Sequence, residues 1–321
     1  MDVLILVRNL TEEERRDIIK ALEDLATPVF IDDPEIDDKA ENAIAALVST
    51  ARHPRVKGIL TRARNLKFIQ TLAAGVDNIP FKDLPENIVV ASNSGANAEE
   101  VAEFTVALIL ASMKNIVALD RGMRNGIWWG PTPRLIKGSK IVIVGYGNIG
   151  REVAKRLRPF DPYIIGVSRN PVKDKYIDEA VKADNLEEVL PVADIVVVTL
   201  PLTKNTYRLF DEKKLNLLKK GALIVNIGRG DVVDEDALFR RLSEGDMSAA
   251  LDVWWVYPKA RGEPTFQNKP FHLIENLVMT PHTAGSWPGF RRKLINNALE
   301  NMRRFLVGET PRNIVAREEY I

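Results

Sequence analysis

The stretch Lys140–Gly150, KIVIVGYGNIG, constrains the fold of this chain more than any other. Lys140–Val144 is a short, β-branched apolar run, too short for a helix and suited to a strand buried on both faces. Gly145, Gly147 and Gly150 then supply the GxGxxG spacing. The first glycine makes a tight turn, the second lets backbone approach a pyrophosphate, and the third lets helix and strand pack closely. Glu152–Leu157 continues as a helix that Pro159 stops. Free N–H groups at a helix start form an anion site, so the stretch reads as a dinucleotide phosphate grip, with Asn148 and Ile149 among its candidate cofactor-binding residues.

A chain of 321 residues fits two domains of ordinary size. Its formal net charge is +1 and no block of like charge stands out, which argues against nucleic acid or a membrane surface as partner. No apolar run reaches the length of a membrane span. The start, MDVLILVRNL, reads as a short strand and not as a signal peptide, so the expected location is cytoplasmic. The absence of cysteine rules out disulfides, thiolate metal sites and a cysteine nucleophile, and three scattered histidines predict no metal site.

In chain order, Asp2–Val7 predicts a strand and Thr11–Leu25 a helix, with Thr11 and Glu14 spaced as a capping box. Val29–Ile31 predicts a strand and Asp37–Val48 a helix. Val56–Thr61, Phe68–Leu72 and Ile88–Ala91 predict further strands, making an α/β domain over residues 1–95. Glu99–Ala111 is apolar on all sides, as a helix buried between domains would be. Arg121–Lys137, rich in Gly, Pro and Trp, reads as an extended arm. From Lys140 onward, Tyr163–Val167, Ile195–Leu200, Leu223–Ile227, Ala249–Val253 and Leu277–Thr280 follow as strands with helices between most of them. This is the pattern of a doubly wound parallel sheet. Phe290–Leu306 predicts an amphipathic helix ending at Gly308.

Ligands in such sheets bind beyond the carboxyl ends of the strands, and the unusual residues of this chain fall there. They are Gly145, Ser168-Arg169-Asn170, Leu200-Pro201 with Thr206, Ile227-Gly228-Arg229, Asp252, and Pro281-His282 with Ala284. Arg229 sits between glycines, where small neighbours admit a ligand, and His282 begins a His-Thr-Ala-Gly-Ser run. His53 and His272 lack such a setting and are expected to be solvated. Trp128, Trp129, Trp254 and Trp255 read as packing residues.

The ordered set LAAGVDNI (Leu72–Ile79), NAEEVAEFTVALIL (Asn97–Leu110), GYGNIG, LPLTKNT (Leu200–Thr206), NIGRGDVVDEDAL (Asn226–Leu238), ALDVW (Ala250–Trp254) and TPHTAGS (Thr280–Ser286) resembles the D-isomer-specific 2-hydroxy acid dehydrogenases. That family includes glyoxylate/hydroxypyruvate reductases, phosphoglycerate dehydrogenases and formate dehydrogenases. The resemblance implies two Rossmann-like or flavodoxin-like domains. The cofactor domain, 96–286 with a dimerisation arm at 115–138, would be inserted into a substrate domain formed by 1–95 and 287–321. It further implies that Arg229 polarises the substrate carbonyl and pairs with its carboxylate, while His282 donates the proton. Gly75 and Val76 would hold the carboxylate through backbone N–H groups, with Ala74 beside them in the substrate site, and Asp252 would bond the nicotinamide amide. The chemistry is coherent on its own terms: charge grows on the carbonyl oxygen as hydride arrives, so a fixed cation and an acid titrating near neutrality are the useful partners.

One position departs. The family places a glutamate five residues after the aspartate, where it raises the histidine pKa, and DVWWVYP puts Tyr257 there instead. Glu263-Pro264 repeats the expected pair six residues later, so Glu263 is the alternative partner of His282, with Tyr257 preferred because spacing and proline stay in register. The predicted activity is reduction of a small 2-oxo acid to the D-2-hydroxy acid by a homodimer. Formate or phosphoglycerate oxidation, or a dinucleotide-sensing protein without turnover, are the alternatives. NADP(H) is favoured over NAD(H). The acid that would meet the ribose 2′-hydroxyl is replaced by Ser168, and Arg169, with Lys173 and Lys175 near it, suits a 2′-phosphate.

Overall fold

The structure, a computed structural model, describes residues 1–51, 53–258 and 268–320. The chain divides into two compact units, Met1–Asn97 with Trp287–Ile321, and Ala98–Ser286.

The first unit carries strands β1 (Asp2–Leu6), β2 (Thr27–Phe30), β3 (Ala45–Val48), β4 (Phe68–Thr71) and β5 (Val89–Ala91), all parallel, in the order β2-β1-β3-β4-β5. Alternate residues feed opposite cores: Leu4 and Leu6 join one apolar cluster, Val3 and Ile5 the other. A strand buried on both faces must be a continuous apolar run, as VLIL is. Helix α1 (Glu12–Leu22) starts at the Thr11/Glu14 capping box. Helices α2 (Ile36–Ala40) and α3 (Pro54–Arg62) follow.

Two expectations fail here. The stretch read as one helix over Asp37–Val48 is the short α2 followed by β3, because AALV pairs with β1 and β4 in the sheet centre. The stretch read as a strand over Val56–Thr61 is helix α3. Pro54 occupies its first turn, and Val56, Ile59 and Leu60 stack at helical spacing into the core.

The second unit opens with α4 (Ala98–Met113) and α5 (Ile116–Arg124), then runs β6 (Lys140–Val144), α6 (Asn148–Leu157), β7 (Tyr163–Ser168), β8 (Glu179–Lys182), α7 (Leu186–Val189), β9 (Ile195–Val198), α8 (Glu212–Leu217), β10 (Leu223–Asn226), α9 (Glu235–Ser243), β11 (Ser248–Leu251) and β12 (Leu277–Met279). Its seven parallel strands order as β12-β11-β10-β9-β6-β7-β8. The winding reverses between β6 and β9, where Ile141 pairs with Ile164 on one side and Ile195 on the other. That switch point opens the crevice in which such sheets bind ligands. The seventh strand, β8, escapes sequence reading because EAVK is mostly polar, as an edge strand tolerates. Helix α4 spends its apolar surface inside this unit: Val101, Ala102, Leu108, Ile109 and Met113 are core residues, with Phe104, Val106 and Leu110 packed against them.

Helix α10 (Phe290–Leu306) belongs to the first unit. It packs on α1 and β4, stacking Phe305 on Phe68 at 4.6 Å, and Arg303 forks onto Asp24. The tail then bridges Ile314 to Ala91 and covers the free edge of β5. No single helix among the described residues is long and apolar enough to cross a membrane.

Candidate active site

The glycine turn after β6 is built as its spacing demands. Gly145 has φ of +106°, and a Cβ there would stand 2.5 Å from Thr199 Oγ1. At Gly150 a Cβ would stand 2.6 Å from the Gly145 carbonyl oxygen, so the third glycine is needed for helix and turn to close. Gly147, the N-cap of α6, is different: a Cβ there would meet no protein atom within 4 Å. The middle glycine is therefore not required by the packing of this chain, and the open approach in front of the α6 N-terminus fits a dinucleotide pyrophosphate. Two substitutions separate these roles. Gly150→Ala is expected to destabilise the fold by about 2 kcal/mol or more through overpacking, whereas Gly147→Ala should melt as the wild type does and bind dinucleotide at least tenfold more weakly. Calorimetry and cofactor titration read the two effects, and normal binding by Gly147→Ala would refute the assignment.

The other sequence candidates of this unit converge on the same edge. Ser168, half-buried, ends β7, and Arg169 and Asn170 follow it exposed. Leu200 and Pro201 lie just past β9, with the Pro201 carbonyl accepting from Thr206 Oγ1 at 2.6 Å. Past β10, Ile227 and Gly228 are buried. A Cβ on Gly228 would be 2.4 Å from the Leu200 carbonyl oxygen, which fixes these two loops against each other. Arg229 is half-buried, and its guanidinium donates to the Gly228 carbonyl at 2.8 Å.

Asn226 goes unnoticed in the sequence. Its side-chain oxygen accepts from Gly228 N–H at 3.1 Å and its amide donates to the Arg229 carbonyl at 2.9 Å, so it shapes the backbone that carries the arginine. The available signal was a polar residue closing the apolar run LIVN, and the structure shows it fully buried. Thr199 is a second such residue: its hydroxyl donates to the Gly145 carbonyl at 2.6 Å and joins the ends of β6 and β9.

At the ends of β11 and β12 a buried carboxylate organises the loop bearing the histidine. Asp252 accepts from the Thr280 hydroxyl at 2.6 Å, from Thr283 N–H at 2.9 Å and from Ala284 N–H at 2.9 Å. These bonds bracket His282, which is exposed and held at φ of +53°. Trp254 Nε1 donates to the Thr280 carbonyl, tying the loop from the other side. The Tyr257 ring stands beside the imidazole, centroids 5.5 Å apart and tilted by 52°, while its hydroxyl accepts from Trp254 N–H at 3.3 Å. Glu263, the alternative partner, lies outside the described residues.

Ala74, Gly75 and Val76 follow β4 in the first unit. Thr71 Oγ1 donates to the Ala73 carbonyl, and Asn93 bonds both Ala73 and Leu72, which together set the turn. The N–H groups of Gly75 and Val76 meet no acceptor among the described residues. His272 is exposed as expected. His53 is instead half-buried at the N-cap of α3, with Nδ1 enclosed and without a hydrogen-bond partner. Among the described residues no group of three or more His, Cys, Asp or Glu could hold a metal ion.

The sequence profile of "D-isomer specific 2-hydroxyacid dehydrogenase, NAD binding domain" matches residues 106–284. A glyoxylate reductase of Thermofilum pendens is 38% identical over 273 residues, covering 81% of this chain and 78% of the relative. Among solved structures, a candidate formate dehydrogenase from Pyrobaculum aerophilum superposes with a TM-score of 0.82 at 32% identity, covering 100% of both chains. A D-isomer specific 2-hydroxyacid dehydrogenase from Xanthobacter autotrophicus Py2, solved with NADPH and MES, gives 0.83 at 27% identity, covering 100% of this chain and 99% of the other. With the switch-point crevice, the glycine turn and the ordered loops already in place, the chain belongs to the D-isomer specific 2-hydroxyacid dehydrogenase family and is an NAD(P)-dependent enzyme of it.

Proposed function

We propose that this enzyme reduces a small 2-oxo acid of the glyoxylate or hydroxypyruvate type to the D-2-hydroxy acid, with NADPH as its preferred reductant. The carrying observation is the end of β7. Where an NAD site presents an acid to the ribose 2′-hydroxyl, this chain presents Ser168 and then the exposed Arg169, which favour a 2′-phosphate. The glyoxylate reductase of Thermofilum pendens and the NADPH-bound Xanthobacter enzyme support both halves of the reading.

In this reading the α6 N-terminus and the open face of Gly147 hold the pyrophosphate, and the bound nicotinamide supplies the hydride. Ile227, Gly228, Leu200 and Pro201 form the wall beside it. Asp252, with one acceptor site on Oδ2 not used by the loop, would bond the nicotinamide amide. The Gly75 and Val76 N–H groups, which meet no acceptor among the described residues, receive the substrate carboxylate. Arg229, its backbone held by Asn226, stabilises the negative charge that grows on the carbonyl oxygen. His282 delivers the proton to that oxygen.

The test is a panel of 2-oxo acids assayed with NADPH and NADH in parallel. Catalytic efficiency with NADH equal to or above that with NADPH would overturn the cofactor reading, as would Arg169→Ala leaving the preference unchanged. Formate oxidation is the second reading, favoured by the Pyrobaculum neighbour. Formate-dependent formation of reduced nicotinamide would establish it.

Tyr257 beside His282 sets a pH dependence. A neutral phenol cannot stabilise an imidazolium as a carboxylate does, so with Tyr257 as partner the proton donor should lose its proton at lower pH than it would beside a carboxylate. Reduction requires the protonated ring. Activity is therefore expected in full at lower pH and to decline as pH rises and the ring loses its proton. A profile flat to about pH 8, with Glu263→Gln more damaging than Tyr257→Phe, would assign the partner role to Glu263.

The working form proposed is a homodimer. Helix α5 buries none of its residues, and Ile116, Met123, Ile127, Trp128, Trp129 and Leu135 are all exposed along 115–138. A monomer by light scattering at micromolar concentration would refute it.

A further inference from the structure

The loop after β7, which presents Ser168, Arg169 and Asn170, has little apolar anchorage of its own: SRNPVKDK buries no side chain fully. It is tied down at its far end. Asp174 Oδ1 accepts from the Tyr146 hydroxyl at 2.9 Å and from Tyr176 N–H at 2.8 Å, and Oδ2 accepts from Arg151 Nε at 2.6 Å. Tyr146 lies inside the GxGxxG turn, and Arg151 stands in the first turns of α6. The Tyr146 ring packs over β7 so closely that a Cβ on Gly166 would be 2.9 Å from its Cγ. The Arg151 guanidinium lies 4.9 Å from the centre of the Tyr176 ring. Two residues of the phosphate-binding element thus meet one carboxylate of the neighbouring loop.

The protonation states agree with this polarity. Partial burial works against the Asp174 charge, but the bonds from Tyr176, Tyr146 and Arg151 outweigh it and hold the carboxyl below its ordinary value. Burial, and then the bond to Asp174, push the Tyr146 phenol well above its ordinary value, so it remains a donor. Asp174 is charged and Tyr146 neutral around pH 7.

We propose that Tyr146, Asp174 and Arg151 form a positioning clamp that fixes the Ser168–Asn170 loop relative to the glycine turn and so sets affinity for the adenosine-ribose end of the dinucleotide. A dinucleotide touches the pyrophosphate turn and the ribose loop at once. If their spacing is fixed beforehand, binding costs less ordering entropy. The inference rests on the NADP(H) reading for its sharper half, that the effect is larger with the 2′-phosphate present.

Simple electrostatics makes the opposite prediction. Removing Asp174 leaves Arg151 uncompensated beside a phosphate site, and an added positive charge should tighten binding. The clamp requires weaker binding. A stability role alone also differs, because an ion pair this exposed contributes little to folding.

The experiment measures equilibrium NADPH and NADH binding by fluorescence titration, with thermal melts of the cofactor-free protein and steady-state kinetics. Asp174→Ala is expected to raise the dissociation constant for NADPH roughly tenfold and to raise that for NADH less, with kcat at saturating cofactor unchanged. Tyr146→Phe keeps the ring on Gly166 and deletes only the donor. It should shift binding in the same direction by a smaller factor with its melting temperature retained, and it carries the test if Asp174→Ala fails to fold. Unchanged or tighter binding of both dinucleotides, or a lowered melting temperature with normal affinity, overturns the clamp. Wild-type protein binding NADH as tightly as NADPH defeats the cofactor reading alone, and the clamp is then judged on the loss of NADH affinity.

Discussion

Replacing Arg229 with glutamine is expected to lower kcat/KM for the 2-oxo acid by about 10³, equivalent to roughly 4 kcal/mol of transition-state stabilisation. The size follows from what the guanidinium is asked to do. Oxyanion charge develops as hydride arrives, and a preorganised cation there needs no reorganisation during the reaction. Asn226 supplies the preorganisation by bonding Gly228 N–H and the Arg229 carbonyl, and the guanidinium is braced on the Gly228 carbonyl. Arg229→Lys keeps the charge but not the planar fork, so it should recover only a small part of the loss. Dinucleotide affinity should stay near wild type in both variants, which separates a damaged site from a damaged fold. A glutamine variant retaining kcat/KM within a few-fold would remove Arg229 from the reaction.

His282→Asn should cost about 10² to 10⁴ in the rate of 2-oxo acid reduction, the range expected when a positioned proton donor is lost. Asparagine is chosen because His282 sits at φ of +53°, a left-handed conformation that asparagine adopts more readily than most residues. The loop bonds from Thr283 and Ala284 to Asp252 should therefore survive. The informative readout is the pH profile. With the imidazole gone, the decline of reduction with rising pH should disappear along with most of the rate. Retention of both the rate and the declining limb would assign the proton to another group.

How far the sequence alone reaches can be judged from particular elements. KIVIV followed by GxGxxG specified its strand, turn and helix because each step is local: a β-branched run, a glycine able to take φ of +106°, and an amphipathic helix after it. The ordered loop signatures likewise identified the family, and the first-turn chemistry of α1 was legible in Thr11 and Glu14. Sequence reading failed where burial, not local preference, decided the outcome. AALV became a central strand only because β1 and β4 flank it, and Val56–Thr61 became a helix because its apolar residues match a core at helical spacing. EAVK became a strand because β7 offered an open edge.

The division within the candidate site residues has the same cause. Arg229, His282 and Asp252 stand out in the sequence as candidates, since they are charged or titratable residues set between glycines or at strand ends. Asn226, Thr199 and the Tyr146–Asp174–Arg151 cluster do not, because an asparagine, a threonine or an aspartate becomes informative only when its partners are known. Tyr146 and Asp174 are 28 residues apart in the chain and 2.9 Å apart in space. Local conformational preference is written along the sequence, so elements and their signatures can be read from it. Pairings of polar groups across such separations exist only once the sheet has been assembled, and the tertiary structure alone decides them.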